Sequence, residues 1–229
     1  MLWLILFLVL ALCILLPSLW VKHVMAKYHE PADRYQARGS GGDLARHLLT
    51  RFDLGTVTVE ETHAGDHYDP EARAVRLSPE NYAGHSLTAV TVAAHEVGHA
   101  IQHARGESLF QTRQTLAKAA VVAQRVAGVL LIAAPIVLLL TRLPQAGVAT
   151  VLIGVMSMAL GTVVHLITLP VELDASYGKA LPILKEGEYL LDGDLQHAEK
   201  ILKAAALTYV AGSLASLLNL GRWIAVLRR

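Results

Sequence analysis

The sequence predicts a mainly α-helical membrane protein: about four transmembrane or membrane-associated helices, plus a small α+β domain with a short β-sheet. Three observations lead there. Of 229 residues, 54% are hydrophobic and the mean hydropathy is +0.44, above the roughly 45–50% apolar content usual in soluble domains. The excess gathers into blocks at residues 2–21, 119–140, 146–169 and 204–221. Between the first two blocks lies a segment of mixed polarity, 22–118, in which helical and strand periodicities alternate.

A helix needs about 20 apolar residues to cross a bilayer, and the first and third blocks meet this easily. The first has no basic residue ahead of it and is longer than a secretory h-region. Residues 1–21 are therefore expected to be a retained anchor. The single Cys13 lies inside it, so there is no disulfide framework. The second block contains Gln124, Arg125 and Pro135. The fourth is weaker and either spans, lies at the interface or packs beneath the polar domain.

Within 22–118, Gly39-Ser40-Gly41-Gly42 reads as a flexible hinge. Leu44, Leu48, Leu49 and Phe52 recur at helical spacing, with Gly55 as a stop. Thr56–Glu60 and Arg73–Leu77 read as short strands, joined by a polar turn holding His63, Gly65, Asp66, His67, Tyr68 and Asp69. Ser86 is placed to cap a helix that runs to about Ala104, before Gly106. Thr141–Gln145 is a short turn, so 119–169 forms a transmembrane hairpin. The chain then returns to the side it left, and the helical region 170–203 emerges beside the polar domain. Residues 204–229 form a C-terminal membrane helix.

Basic residues such as Lys22, Lys27, Arg34, Arg105, Arg113, Lys118, Lys179 and Lys200 crowd the domain side, against Arg142, Arg228 and Arg229 opposite. This charge bias puts the domain in the cytoplasm. A net charge of +1 leaves no electrostatic footprint for nucleic acid. The bilayer is the expected partner. Gly147, Gly154 and Gly161 recur every seven residues, a close-packing stripe for an oligomer or for the bundle itself.

The chemistry sits in His95-Glu96-Val97-Gly98-His99. On a helix, positions i and i+4 share a face, so His95 and His99 can reach one Zn2+ while Glu96 takes a proton from its water. A metal explains three polar side chains in an otherwise apolar helix. A catalytic zinc keeps three protein ligands. Glu172, leaving the third span on the domain side at Pro170, is the expected third, the proline starting a helix that aims it. The expected chemistry is peptide hydrolysis with Glu96 as general base. Tyr209 is a candidate for transition-state contact, Asp174 for orienting a ligand histidine, and His165 for a hydrogen bond near the site. His103 is expected to be a neighbour, not a ligand.

These residues carry a resemblance. Asp66-His67-Tyr68-Asp69-Pro70, Val75–Ser78, Ala93–Gln102, Leu169–Glu172 with Asp174–Ser176, and Ala204–Ala211 together resemble the YugP-type "putative neutral zinc metallopeptidases", bacterial membrane proteins. The wider likeness is to gluzincin membrane proteases such as HtpX and the CAAX-processing endopeptidases. It implies a zincin-like domain over 22–118, a membrane zinc metalloendopeptidase in the bacterial inner membrane, and a peptide or membrane-protein substrate. It also implies a substrate-binding edge strand near Asp66, His67 and Tyr68. In the wider group the glutamate belongs to an E-x-x-A-D stretch. Here Glu172-Leu173-Asp174-Ala175-Ser176 has serine in place of that aspartate, and Asp174 is the candidate substitute.

Two rivals stay open. Site-two-type intramembrane proteases draw their third ligand from an LDG motif, and Leu191-Asp192-Gly193 is present; against this, residues 87–101 are too short to span. A non-catalytic scaffold with a structural metal is the other. Such sites usually close with four Cys or His ligands; the presence of Glu96 and the lack of thiolates argue against it.

Overall fold

In a computed structural model, Leu12, Leu16 and residues 19–141 and 144–227 are described. Most of the expected 1–21 anchor, with Cys13, lies outside them. So do Arg142 and Leu143 of the hairpin turn, and Arg228 and Arg229.

A helix through 19–29 (α1) leads into the polar domain. Helix α2 (Gly41–Arg51) opens with a capping box, in which Ser40 accepts from the Asp43 amide and Asp43 accepts from Ser40. The expected glycine hinge is therefore a correction. Gly41 and Gly42 are buried, and a Cβ on Gly41 would collide with the carbonyls of Asn81 and Ala89. These glycines permit close backbone packing and do not serve as a swivel.

Strands β1 (Thr58–Glu61) and β3 (Ala74–Leu77) fall near their expected positions and pair in parallel. The segment read as a polar turn contains a third strand, β2 (His67–Asp69), antiparallel to β3 with Tyr68 opposite Val75. The order is β1-β3-β2, so β2 is an edge. At three residues it is too short for an alternation to show. A short helix α3 (Pro79–Tyr82) follows.

Helix α4 (Leu87–Ala104) is the centre of the domain. Ser86 caps it, accepting from the Ala89 amide at 3.1 Å, and it ends where expected. Val90, Ala93, Ala94, Val97 and Ile101 are buried in a core with Leu48, Leu49, Val75, Leu77, Leu184 and Ile201. Burying each such aliphatic side chain stabilises the fold by about 1.5–3 kcal/mol.

Helix α5 (Ser108–Thr141) packs against α6 (Pro144–Leu173), and α6 against α8 (Leu195–Leu227). Thr162 Oγ1 meets Ser216 Oγ at 2.8 Å, and Ser213 donates to the His165 carbonyl at 3.0 Å; polar links of this kind hold membrane helices together. On the outside, Ile132, Leu139 and Met156 are 79%, 78% and 69% exposed, an apolar surface of the kind lipid covers. Among the described residues one stretch, Leu152–Glu186, is long and apolar enough to cross a membrane. The sequence led us to expect about four. Among the described residues nothing lies within 4 Å of where a Cβ would stand at Gly147 and Gly154, whereas Gly161 faces Gln124.

Pro170 does not start a helix. Helix α6 runs through it to Leu173 and continues as a π-helical turn (Asp174–Ala180), then α7 (Leu181–Glu186). Proline removes one amide donor from the ladder, and the wider π turn follows four residues later. With about 1.5 Å of rise per residue, the 30 residues of α6 outrun a hydrocarbon core of about 30 Å. Its C-terminal end therefore projects towards α4.

Candidate metal centre

Helical spacing puts His95 and His99 on one face of α4, with ring centroids 4.8 Å apart. The projecting end of α6 supplies Glu172, 2% exposed. One of its oxygens, Oε2, lies 3.2 Å from His95 Nε2 and 3.3 Å from His99 Nε2. Among the described residues these three make up a group able to hold a metal, their ligand atoms all within 4.8 Å of one another. Tetrahedral ligands at about 2.0–2.1 Å from zinc stand roughly 3.3 Å apart. The N,N,O donor set and its spacing therefore fit that ion.

The histidine tautomers follow from their outer partners. Gln102, one turn beyond His99, points its side-chain amide nitrogen at two pure acceptors, the Val171 carbonyl at 2.9 Å and Asp174 Oδ2 at 2.7 Å. That nitrogen must be the NH2, so Oε1 faces His99 Nδ1 at 2.9 Å and accepts its proton. The Nε2 lone pair of His99 is thereby directed at the metal position. For His95 the partner is Ser176 on the π turn, its Oγ 3.2 Å from Nδ1. Serine thus occupies the place of the wider group's aspartate, and Asp174 acts through Gln102 instead of touching a histidine. Asp174 is in turn held by Lys179, which also pairs with Glu107 at 2.9 Å.

Close approach of the two halves depends on Gly98. A Cβ there would stand 2.9 Å from the Ala175 carbonyl oxygen, so the second variable position of the motif has to stay bare.

Glu96 is buried beside these three residues, 7% exposed. Burial raises its carboxyl to about 7; the His95 side chain opposes this, the charges of Glu172 and Asp66 add to it, and a hydrogen bond from the Tyr68 amide lowers it. The free edge of β2 therefore faces Glu96. Tyr68 also bonds through its hydroxyl to His103 Nδ1 at 2.8 Å. His103 stacks on Phe110 at 5.6 Å and stays outside the metal group.

The other sequence candidates divide. Tyr209 comes close enough for its hydroxyl to interact with Glu172 and Glu96. His165 does not join the site; it sits against Gly212 where α6 meets α8. Asp66 accepts from the Ser78 amide and hydroxyl and from Asn81, bracing the start of β2. His67 bonds the Gly65 carbonyl at 2.8 Å and is not part of the metal group. Asp192, the rival ligand, is exposed and not among the clustered groups. Sequence reasoning missed Gln102 as a brace, although its i+3 spacing from His99 marks the same face. It also missed Arg113 of α5, whose guanidinium comes within 4.0 Å of Glu172 and whose buried Nε has no hydrogen-bond partner among the described residues.

A histidine pair and a carboxylate able to hold one metal ion thus stand beside a second, buried glutamate and an edge strand, a set of groups that suits metal-assisted hydrolysis. A family model described as "Putative neutral zinc metallopeptidase" matches residues 3–228, and the chain belongs to that family. It is 34% identical over 225 residues to the "Putative membrane protease YugP" of Bacillus subtilis (strain 168), covering 96% of each chain. No solved structure matches it.

Proposed function

We propose that the protein is a membrane-bound zinc endopeptidase, with His95, His99 and Glu172 as ligands and Glu96 as general base. The observation that carries this is the meeting of both Nε2 atoms on one oxygen of Glu172, next to a second, buried glutamate. Bound zinc would acidify a water and polarise a carbonyl. Glu96 accepts that water's proton and hands it to the leaving amine. The peptide is held as an added strand on the free edge of β2, over Glu96. Arg113, with an unused N–H, and Tyr209 supply positive charge and a hydroxyl where the oxyanion develops. The topology read from the basic residues puts this domain on the cytoplasmic side of a multi-pass bacterial inner-membrane protein.

The test is zinc quantification with a peptide-cleavage screen on the full chain in detergent. Wild type is expected to bind one zinc and cut peptides. Glu96→Ala should keep the zinc and lose the hydrolysis; equal hydrolysis would overturn the assignment.

A further inference from the structure

The stretch that supplies outer partners to both histidines is not an α-helix. Asp174–Ala180 is a π turn, closed by the Leu181 amide donating to the Ser176 carbonyl five residues back. Such turns are rare, so one that forms a buried wall of the site needs a cause. Ala175, Ser176 and Ala180 are fully buried.

The side chains supply that cause. Lys179 is 7% exposed, and its ammonium lies between two carboxylates, Asp174 and Glu107, the latter at 2.9 Å. In an α-helix residues 174 and 179 would stand about 140° apart, on nearly opposite sides. In the i→i+5 register they lie over one another, as i and i+4 do in an α-helix. The spacing therefore pairs them only in the π form, and α periodicity hides the pairing in the sequence. Gly178 makes the room: a Cβ there would collide with Asp174 Oδ1. Glu107, just ahead of α5, holds the ammonium from outside the turn.

On its inner side the same turn serves both histidines. Ser176 Oγ meets His95 Nδ1 at 3.2 Å. Asp174 Oδ2 accepts from the Gln102 amide at 2.7 Å, and the Gln102 oxygen takes the His99 Nδ1 proton. A return to the α register would turn these residues progressively, by up to about 100°, and carry Ser176 and Asp174 off their partners. We infer that Lys179, held by Glu107, is the positioning residue that keeps this stretch in the π register and so aims both His95 and His99. It acts on the histidines only through Ser176 and Asp174. This rests on the zinc reading of the site and adds what fixes the outer partners of the ligands.

The test is zinc affinity of the full chain in detergent, read by competition against a chromophoric chelator. Wild type is measured first: if it binds no zinc, the metal reading falls and the clamp with it. Lys179→Met keeps the apolar stem and leaves Asp174 and Glu107, both half-buried, free to hydrate. Zinc affinity should then fall about 10–100-fold. Cobalt(II) in place of zinc gives a visible spectrum that reports ligand geometry; it should shift in Lys179→Met, which a merely less stable protein would not show. In a Ser176→Ala/Gln102→Leu background the outer partners are already gone, so adding Lys179→Met should change affinity by less than about twofold. Gly178→Ala, which displaces Asp174 without removing a charge, should weaken zinc in the same way and guards against one variant misfolding. Affinity within about twofold of wild type in the folded variants, an unshifted cobalt spectrum, or the full further loss in the double background each overturns the clamp while leaving the zinc site standing.

Discussion

Gln102 is the residue whose removal tests the centre most directly. It makes three hydrogen bonds at 2.9, 2.9 and 2.7 Å and is 1% exposed. Gln102→Leu removes all three at nearly constant volume. The His99 Nδ1–H is then left buried without a partner, at about 1–3 kcal/mol, while Asp174 keeps Lys179. The expected loss of stability is about 1–3 kcal/mol. Losing the outer partner of a ligand histidine should weaken zinc binding about 10–100-fold, or roughly 1.4–2.8 kcal/mol. Gln102→Glu separates the two effects. A carboxylate still accepts from Nδ1, so zinc affinity should hold within a few-fold, while the lost donor and the new charge beside Asp174 lower thermal stability. Competition against a chromophoric chelator reads the first, and thermal unfolding of the zinc-free protein the second. Zinc affinity in Gln102→Leu within twofold of wild type would refute the claim that this amide sets the His99 tautomer.

Further expectations follow from the same geometry. Gly98→Ala places a methyl 2.9 Å from the Ala175 carbonyl; it should cost about 1–3 kcal/mol through overpacking and lower zinc occupancy by shifting Glu172, both readable by unfolding and metal analysis. Ser176→Ala leaves His95 without its outer partner and should weaken zinc by about tenfold, measured by the same chelator competition. Asp194→Ala should destabilise by about 3–5 kcal/mol, because Asp194, 1% exposed, accepts from Arg34 at 2.6 and 2.8 Å and from Tyr35 at 2.7 Å. Burial alone would raise the Asp194 carboxyl, but these bonds outweigh it and hold it below its ordinary value. Its contribution is thus complete above the unfolded carboxylate pKa of about 3.9 and is lost as pH falls through the lower folded value. Acid unfolding of Asp194→Asn should be correspondingly less steep below about pH 4 than that of wild type.

Local chemistry was legible without coordinates. The i, i+4 histidines, the Ser86 cap and the length of α4 are set by helical repeat and side-chain capping. These act within a few residues, so the sequence carries them openly. The choice of Glu172 was legible from connectivity: a hairpin must return the chain to the side it left. What stayed hidden depends on contacts across long separations. The glycines at 41 and 42 look like slack until the carbonyls of Asn81 and Ala89 are seen against the first and that of Tyr82 against the second. Strand β2 is too short for a period, so only the resemblance, and no local pattern, pointed to an edge strand near Asp66, His67 and Tyr68; it forms because β3 offers it a partner. The π turn that brings Ser176 to His95 has no local signature.

The sequence by itself determined which groups can ligate and which can take a proton, because those are properties of side chains at fixed helical spacing. Only the tertiary structure decided how they are aimed. The orientation of His99 depends on an amide whose nitrogen is claimed by a backbone carbonyl 69 residues away, and no local rule contains that distance.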